Sequence, residues 1–279
     1  MESDVTQAEK GRRFRELHQG RDAFVIPNPW DTGSARLLAL LGFKALASTS
    51  AGYAFTLGKC DTEVGRDAML AHLTQLVAAT DLPVSADLEN GFGDAPETVA
   101  ETFRLAVSTG LAGGSVEDAT GRPDDPIYSR ELAVERVRAA VDVARGLPFP
   151  FTLTARAENF LVGRPDLDDT IARLQAYQDA GADVLYAPGL TRAEDIRRVV
   201  ASVDRPVNVV MGLTGLRLSV AELSDLGVRR ISVGGSFARA ALGGFLRAAR
   251  EVREHGTFTY IEDAVSSREI TELLRAAAR

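Results

Sequence analysis

Apolar positions along this chain gather in eight short, dense runs rather than spreading evenly. They are AFVIPN (23–28), KALASTS (44–50), LPVSADL (82–88), AGGSVED (112–118), PFTLTAR (150–156), ADVLYAP (182–188), RPVNVVM (205–211) and RRISVGG (229–235). Segments of helical periodicity separate them, such as PETVAETFRLAVSTG and DLDDTIARLQAYQDAGAD, and several of these end in Gly, a common helix terminator. Runs apolar on both faces read as parallel strands covered by helices. Eight such units over about 250 residues predict an α/β protein of the (β/α)8 TIM-barrel class. An open doubly wound sheet is the alternative. Nothing inside the chain reads as a linker, so residues 1–279 are expected to form a single domain. Residues 1–20 read as a leading helix, and 259–279 as a C-terminal helical tail outside the eight units, suited to pack on a neighbouring subunit.

The polar residues collect where the predicted strands end. In order these are Asn28 and Asp31; Ser48, Thr49 and Ser50; Asp87 and Glu89; Glu117 and Asp118; Arg156 and Glu158; Asn208; and Ser236. In a barrel the active site lies at that end. One Asp at a strand end is ordinarily a turn or helix cap, but acids ending strands 3 and 4 opposite an Arg ending strand 5 form a constellation. Asp87 and Glu89, two apart, would share a face of one strand. Oxygen ligands without His or Cys suit Mg²⁺ (or Mn²⁺) rather than zinc. Asp87 is the expected direct ligand, with Glu89 and Glu117 acting through water. The competing reading is a carboxylate–arginine network that only braces the barrel rim.

Absences narrow the chemistry. His18, His72 and His255 all fall in helical segments and read as helix-surface residues, so no His ends a strand as a general base. Lys44 opens strand 2 and Lys59 lies in the loop after it, which argues against a Schiff-base aldolase. No Rossmann fingerprint or P-loop follows strand 1. The turn at Val233–Ser236 could cradle a phosphate or simply lead strand 8 into a helix. The formal net charge of −7 argues against nucleic-acid binding. No apolar run approaches the roughly 20 residues of a membrane span, and the polar N-terminus is unlike a signal peptide. The single Cys60 excludes an internal disulfide and suits the cytoplasm.

Taken in order, the motifs resemble the isocitrate lyase/phosphoenolpyruvate mutase superfamily over nearly the whole chain. They are PNPWDTGSARLLALLGFKAL, STSAGYAFTLGKCD, ADLENGFGDAPETV, GSVEDATG, TARAENFLVG and YQDAGADVLYAPG. The resemblance implies a (β/α)8 barrel that binds Mg²⁺ and acts on small 2-oxo or 2-hydroxy carboxylates through a pyruvate enolate-like state. It also implies a homo-oligomer, dimer or tetramer, with the last helix exchanged between subunits. By motif, Asp87 matches the direct metal ligand, Glu89 stands where the family commonly has Asp, and Glu117 matches the strand-4 acid. Asp61 matches an acid near the metal and the reacting centre. Thr49 and Ser50 match the turn that holds the substrate carboxylate. Arg156 matches the arginine on substrate oxygens, and Asn208 falls near the same pocket. The implied catalytic residues are thus Asp61, Arg156 and Glu117.

The loop after strand 4 departs from the family. It reads EDATGRPDDPIYSREL, with neither the Lys-Arg-Cys-Gly-His-like segment of the isocitrate and methylisocitrate lyases nor the Lys-Thr-Asn-like segment of the mutases. Cys60 does not replace the missing cysteine by motif. Arg122 reads either as a clamp on an anionic substrate or as a solvated loop residue. Tyr53, Tyr128 and Tyr186 are candidate proton donors or packing residues. The expectation is a Mg²⁺-dependent lyase or decarboxylase acting on a small 2-oxo or 2-hydroxy dicarboxylate. The alternatives are a phosphoenolpyruvate mutase or phosphonopyruvate hydrolase type of enzyme, and a non-catalytic binder of 2-oxo acids.

Overall fold

Each of the eight apolar runs contributes one strand of a parallel sheet in the computed structural model, which describes residues 5–213 and 215–277. The strands are β1 (Phe24–Ile26), β2 (Leu46–Ala47), β3 (Val84–Asp87), β4 (Gly113–Glu117), β5 (Thr152–Arg156), β6 (Val184–Tyr186), β7 (Val207–Val210) and β8 (Arg230–Ser232). Their order, β1-β8-β7-β6-β5-β4-β3-β2, curls into a nearly closed (β/α)8 barrel. Between β1 and β2 there is no ladder among the described residues. That seam is bridged by the Ala47 amide donating to the Pro27 carbonyl at 3.1 Å. Asn28 reinforces it, its Nδ2 donating to the Ser48 carbonyl at 2.8 Å while its Oδ1 accepts from the amides of Val233 and Gly234, each at 2.9 Å. Those two amides are therefore spent on Asn28. The Val233–Ser236 turn is a strand-to-helix connection, not a phosphate cradle.

The strands are shorter than the apolar runs, and in the run 44–50 a helix begins inside the run's polar end. Thr49 accepts from the Gly52 amide as N-cap of α3 (Ser50–Thr56), a helix that the sequence reading did not separate from the loop after strand 2. Asp31, likewise, is the cap of the helix Thr32–Leu40, in a reciprocal capping box with Ser34, and plays the bland part allowed for a lone strand-end acid. Side chains facing outward, such as Val116, Leu153, Ala155 and Ile231, join the apolar layer between sheet and helices. Those facing inward are unusually polar for this fold: Ser85, Ser115, Tyr186, Asn208, Arg230 and Ser232 line the interior cavity, where many barrels have branched aliphatics.

The leading helix is α1 (Gln7–Gln19), within the predicted 1–20; residues 1–4 lie outside the described part. Its Phe14 plugs the N-terminal end of the barrel against Ile26, Ala45 and Ala112. His18, expected on a helix surface, is buried there edge-on between Phe14 and Phe24. His72 is buried as well, stacked on Tyr53 with ring centroids 3.8 Å apart. Burial depresses His18 to about 3 and His72 to about 4, so both are neutral aromatic packing groups. Only His255 lies on the surface, as expected.

After β8 comes α10 (Ser236–His255), in which Ala238 is the sole buried residue. Phe237, Leu242, Phe245 and Leu246 are exposed along it. The predicted tail consists of a 3₁₀ turn (Thr259–Glu262) and α11 (Ser267–Ala276), which contacts the helix Thr32–Leu40. Residues 278 and 279 of the predicted tail lie outside the described part.

Candidate active site

Arg156 ends β5 and is the hub of the strand-end cluster. Its Nη1 donates to Asp87 Oδ1 at 3.0 Å, its Nη2 lies 3.1 Å from Glu117 Oε2, and its Nε donates to Glu158 Oε1 at 2.8 Å. Sheet register explains the meeting, since Glu117 on β4 and Tyr186 on β6 are the direct neighbours of Arg156. The Tyr186 ring lies under the guanidinium, 5.1 Å from its centroid. Burial works against the charge on Arg156, but Glu117, Glu158 and Asp87 outweigh it and hold the guanidinium firmly protonated. Burial raises Glu117 and Glu158 above the ordinary carboxylate range, with Arg156 opposing the rise.

Asp87 is anchored from the other side by α3. The backbone amide and hydroxyl of Ser50 donate to its Oδ2 at 3.2 and 3.0 Å, and its own amide donates to Ser48 Oγ at 2.8 Å. Asp61 stands close enough to Asp87 and Ser50 that lost hydration and the neighbouring charge raise its carboxyl. Thr49, Ser50, Asp61, Asp87, Arg156 and Asn208 all line one cavity of about 180 Å³, so six of the predicted residues are brought together. Asn208 is not at a strand end. It is the second residue of β7, deep in the barrel, between Ser232 Oγ and Arg230 Nε at 3.0 and 2.9 Å. Glu89 and Glu117 line the adjoining cleft instead.

Glu89 does not share a strand face with Asp87, because β3 stops at Asp87 and Glu89 takes a left-handed φ of 49°. Phe92 is left-handed too (φ 60°), a costly state for a bulky residue. Arg136 of α6 (Arg130–Arg145) braces this turn, donating to the carbonyls of Asn90, Gly93 and Asp94. At Gly91 (φ 78°) a Cβ would stand 2.9 Å from Val99 Cγ2, so the turn needs glycine there. The Glu89 carboxyl is buried and its Oε1 has no hydrogen-bond partner. Burial first, then the charges of Asp87 and Asp61, push it up to about 8.

Among the described residues no three acids converge as a ready ligand set. The residues nonetheless fit a hard divalent cation. Asp61, Asp87 and Glu89 are oxygen donors, the charge of Asp87 helps to raise the carboxyls of Asp61 and Glu89, and one buried oxygen of Glu89 lacks a partner.

The departing loop after β4 is pinned rather than free. Ala119 and Ile127 form a bridge across its base. Arg122 pairs with Asp94 at 2.9 and 3.0 Å, and the Tyr128 hydroxyl donates to the same carboxylate at 2.6 Å. Arg122, partly exposed, takes Asp94 and Asp125 as its partners. Asp118 proves structural, buried against Arg173 at 3.1 Å and Tyr177 at 2.5 Å, with its Oδ1 receiving the Glu158 amide. Cys60 is exposed. Sequence reasoning assigned no role to Glu158, although it sits two residues beyond Arg156, or to Arg230 and Ser232, which alternate inward along RRISVGG.

Three comparisons accompany this geometry. Residues 14–253 match the family described as phosphoenolpyruvate phosphomutase. A solved structure from Burkholderia cenocepacia J2315, described no further than lyase/mutase, is 65% identical, with TM-score 0.95 over 98% of this chain and 97% of its own. Oxaloacetate acetylhydrolase, solved with its product oxalate, is 27% identical, with TM-score 0.87 over 99% and 97%. The 2-methylisocitrate lyase of Escherichia coli (strain K12) is 31% identical over 205 residues, 71% of this chain and 68% of that one.

Proposed function

The chain belongs to the phosphoenolpyruvate phosphomutase family, and on that premise we propose that it is a Mg²⁺-dependent lyase or decarboxylase of a small 2-oxo or 2-hydroxy dicarboxylate. The observation that carries this reading is the meeting of Asp87, the Ser50 amide and hydroxyl, and Arg156 at one small polar cavity. Arg156, which has five N–H donors for its three acids, keeps N–H groups as a preorganised receptor for a carboxylate or for the oxygen on which charge develops as the adjacent bond breaks, while the Ser50 donors hold Asp87 in place beside it. Glu117 and Glu158 fix the plane of the guanidinium, so it needs no reorganisation to meet that charge. Asp87 is the proposed direct metal ligand, with Glu89 and Glu117 reached through water. A bound Mg²⁺ would supply Lewis-acid polarisation of the 2-oxo group. Asp61, its proton affinity raised beside Asp87, is the proposed acid–base group.

The same proposal includes a homo-oligomer, dimer or tetramer, built on the exposed apolar residues of α10. It also includes a cytoplasmic location, which suits the exposed Cys60. Among the described residues no helix is long and apolar enough to cross a membrane.

The test is a turnover screen with Mg²⁺ against oxaloacetate, 2-methylisocitrate-type acids and phosphonopyruvate. Cleavage of a C–C substrate is expected, abolished by Asp87→Ala. Turnover of phosphonopyruvate alone would replace the reading with P–C chemistry, the alternative that the family description favours. Binding and turnover unchanged in Asp87→Ala would remove the metal site.

A further inference from the structure

Among the described residues, Arg230 is a buried cation with no anion. It opens β8 and, through its register partner Phe24, lies toward the N-terminal end of the barrel. That is two residues, or about 7 Å, below Ser232. The residue is 6% exposed, yet it lines the same cavity as Asp87 and Arg156. Its Nε donates to Asn208 Oδ1 at 2.9 Å, and its Nη1 has no partner. Among the described residues the titratable groups that act on it are Tyr186 and Arg156, neither of them a carboxylate. Every other deeply buried arginine near the site is compensated. Arg156 has three acids, Arg173 has Asp118 and Asp169, and Arg136, although its Nε also lacks a partner, donates to three carbonyls and feels the charges of Asp94 and Asp118.

An uncompensated buried charge is expensive and ordinarily either finds a counter-ion or is lost. Burial lowers the Arg230 guanidinium only to about 10, so it stays charged at neutral pH. The cavity connects this charge with the carboxylate receptor at Arg156, and its walls between the two are small: Ala47, Ser85, Ala86 and Ser115.

We propose that Arg230 is a specificity-determining residue, receiving the second acidic group of the substrate at the floor of the barrel. This rests on the 2-oxo acid reading above and narrows it to dianionic substrates whose distal carboxylate descends between Ser115 and Asn208. The guanidinium makes the charge-assisted bond, and Asn208, held by Ser232, fixes its orientation through Nε.

The experiment measures dissociation constants by calorimetry, in Mg²⁺, for two matched ligand pairs. These are oxaloacetate with 2-oxobutanoate, and 2-oxoglutarate with 2-oxopentanoate; the members of each pair differ in a carboxylate against a methyl group. The wild type is expected to prefer the dicarboxylate of at least one pair by about tenfold or more. Arg230→Met is expected to bring that ratio to near one, with monocarboxylate affinity kept, and Arg230→Lys to retain part of the preference. Because Met removes an uncompensated charge, its melting temperature is expected not to fall. Three outcomes overturn the subsite: no preference in the wild type, a preference unchanged in Arg230→Met, or an equal loss on both members of a pair with a lowered melting temperature. Failure of the wild type to bind any of the four ligands overturns the parent reading instead, and the subsite with it.

Discussion

Glu89 differs from its neighbours in being both buried and unpartnered, and that has a measurable proton cost. Without a cation its carboxyl is protonated up to about pH 8, and a divalent ion held there requires it ionised. Below pH 8, therefore, each ion bound displaces a proton. Mg²⁺ affinity should rise by up to about tenfold per pH unit between pH 6 and 8 and then level off. Calorimetry in buffers of differing ionisation enthalpy reads the released proton, and Glu89→Gln should flatten the profile. A flat wild-type profile would place Glu89 outside the metal's reach. Individual residues were unevenly legible in the sequence. Asp87 and Arg156 stood out because acids ending two adjacent strands opposite an arginine ending the next form a set that turns and helix caps do not require. Arg230 did not, because a polar residue inside a parallel strand breaks the pattern by which strands are found, and Asn208 was picked out but expected at a strand end rather than inside β7. The buried state of His18 and His72 was hidden for the opposite reason, since a histidine packed among aromatics has the same helical spacing as a solvated one.

At the level of elements, the turn 89–94 is held in place from a distance. Two non-glycine residues sit at positive φ, which costs of order 1–3 kcal/mol each. Arg136, reaching across from α6, makes that conformation tolerable. Arg136→Met would leave three carbonyls without this donor and is expected to cost about 3 kcal/mol of stability. It should also weaken Mg²⁺ binding, although Arg136 is not a proposed ligand; thermal melts and a metal titration check the two effects. Unchanged metal affinity would mean that the turn keeps its shape unaided. The barrel elements were readable from the recurrence of apolar runs, but their limits were not. The run 44–50 yields a two-residue strand because Thr49 caps a helix inside it. Glu89 leaves the strand register for a similar reason: a Gly-rich turn begins before the alternation of the strand would have ended. The loop after β4 could not be read at all from its residues. Its conformation depends on Asp94, which lies 28 residues from Arg122 in sequence and becomes its partner only once β3 and β4 pair.

For the whole molecule, the exposed apolar side of α10 is the surface on which the proposed oligomer would be built. Phe245 is 66% exposed, and Leu246 beside it 45%, more than scattered surface residues normally contribute. The wild type is expected to sediment well above its monomer mass of 29.9 kDa, and Phe245→Glu to shift it toward that mass. A wild-type monomer would refute the oligomer. The barrel itself behaves mechanically as a hoop with one clasp. Seven joints are ladders, while the eighth, between β1 and β2, is one amide bond at Ala47 supported by Asn28. Opening of the hoop therefore meets the fewest backbone hydrogen bonds along this one line. The residues that leave that line, Ser48 to Ser50, hold Asp87 by three hydrogen bonds, so a change in the width of the clasp would be felt first at the residue proposed to ligate the metal.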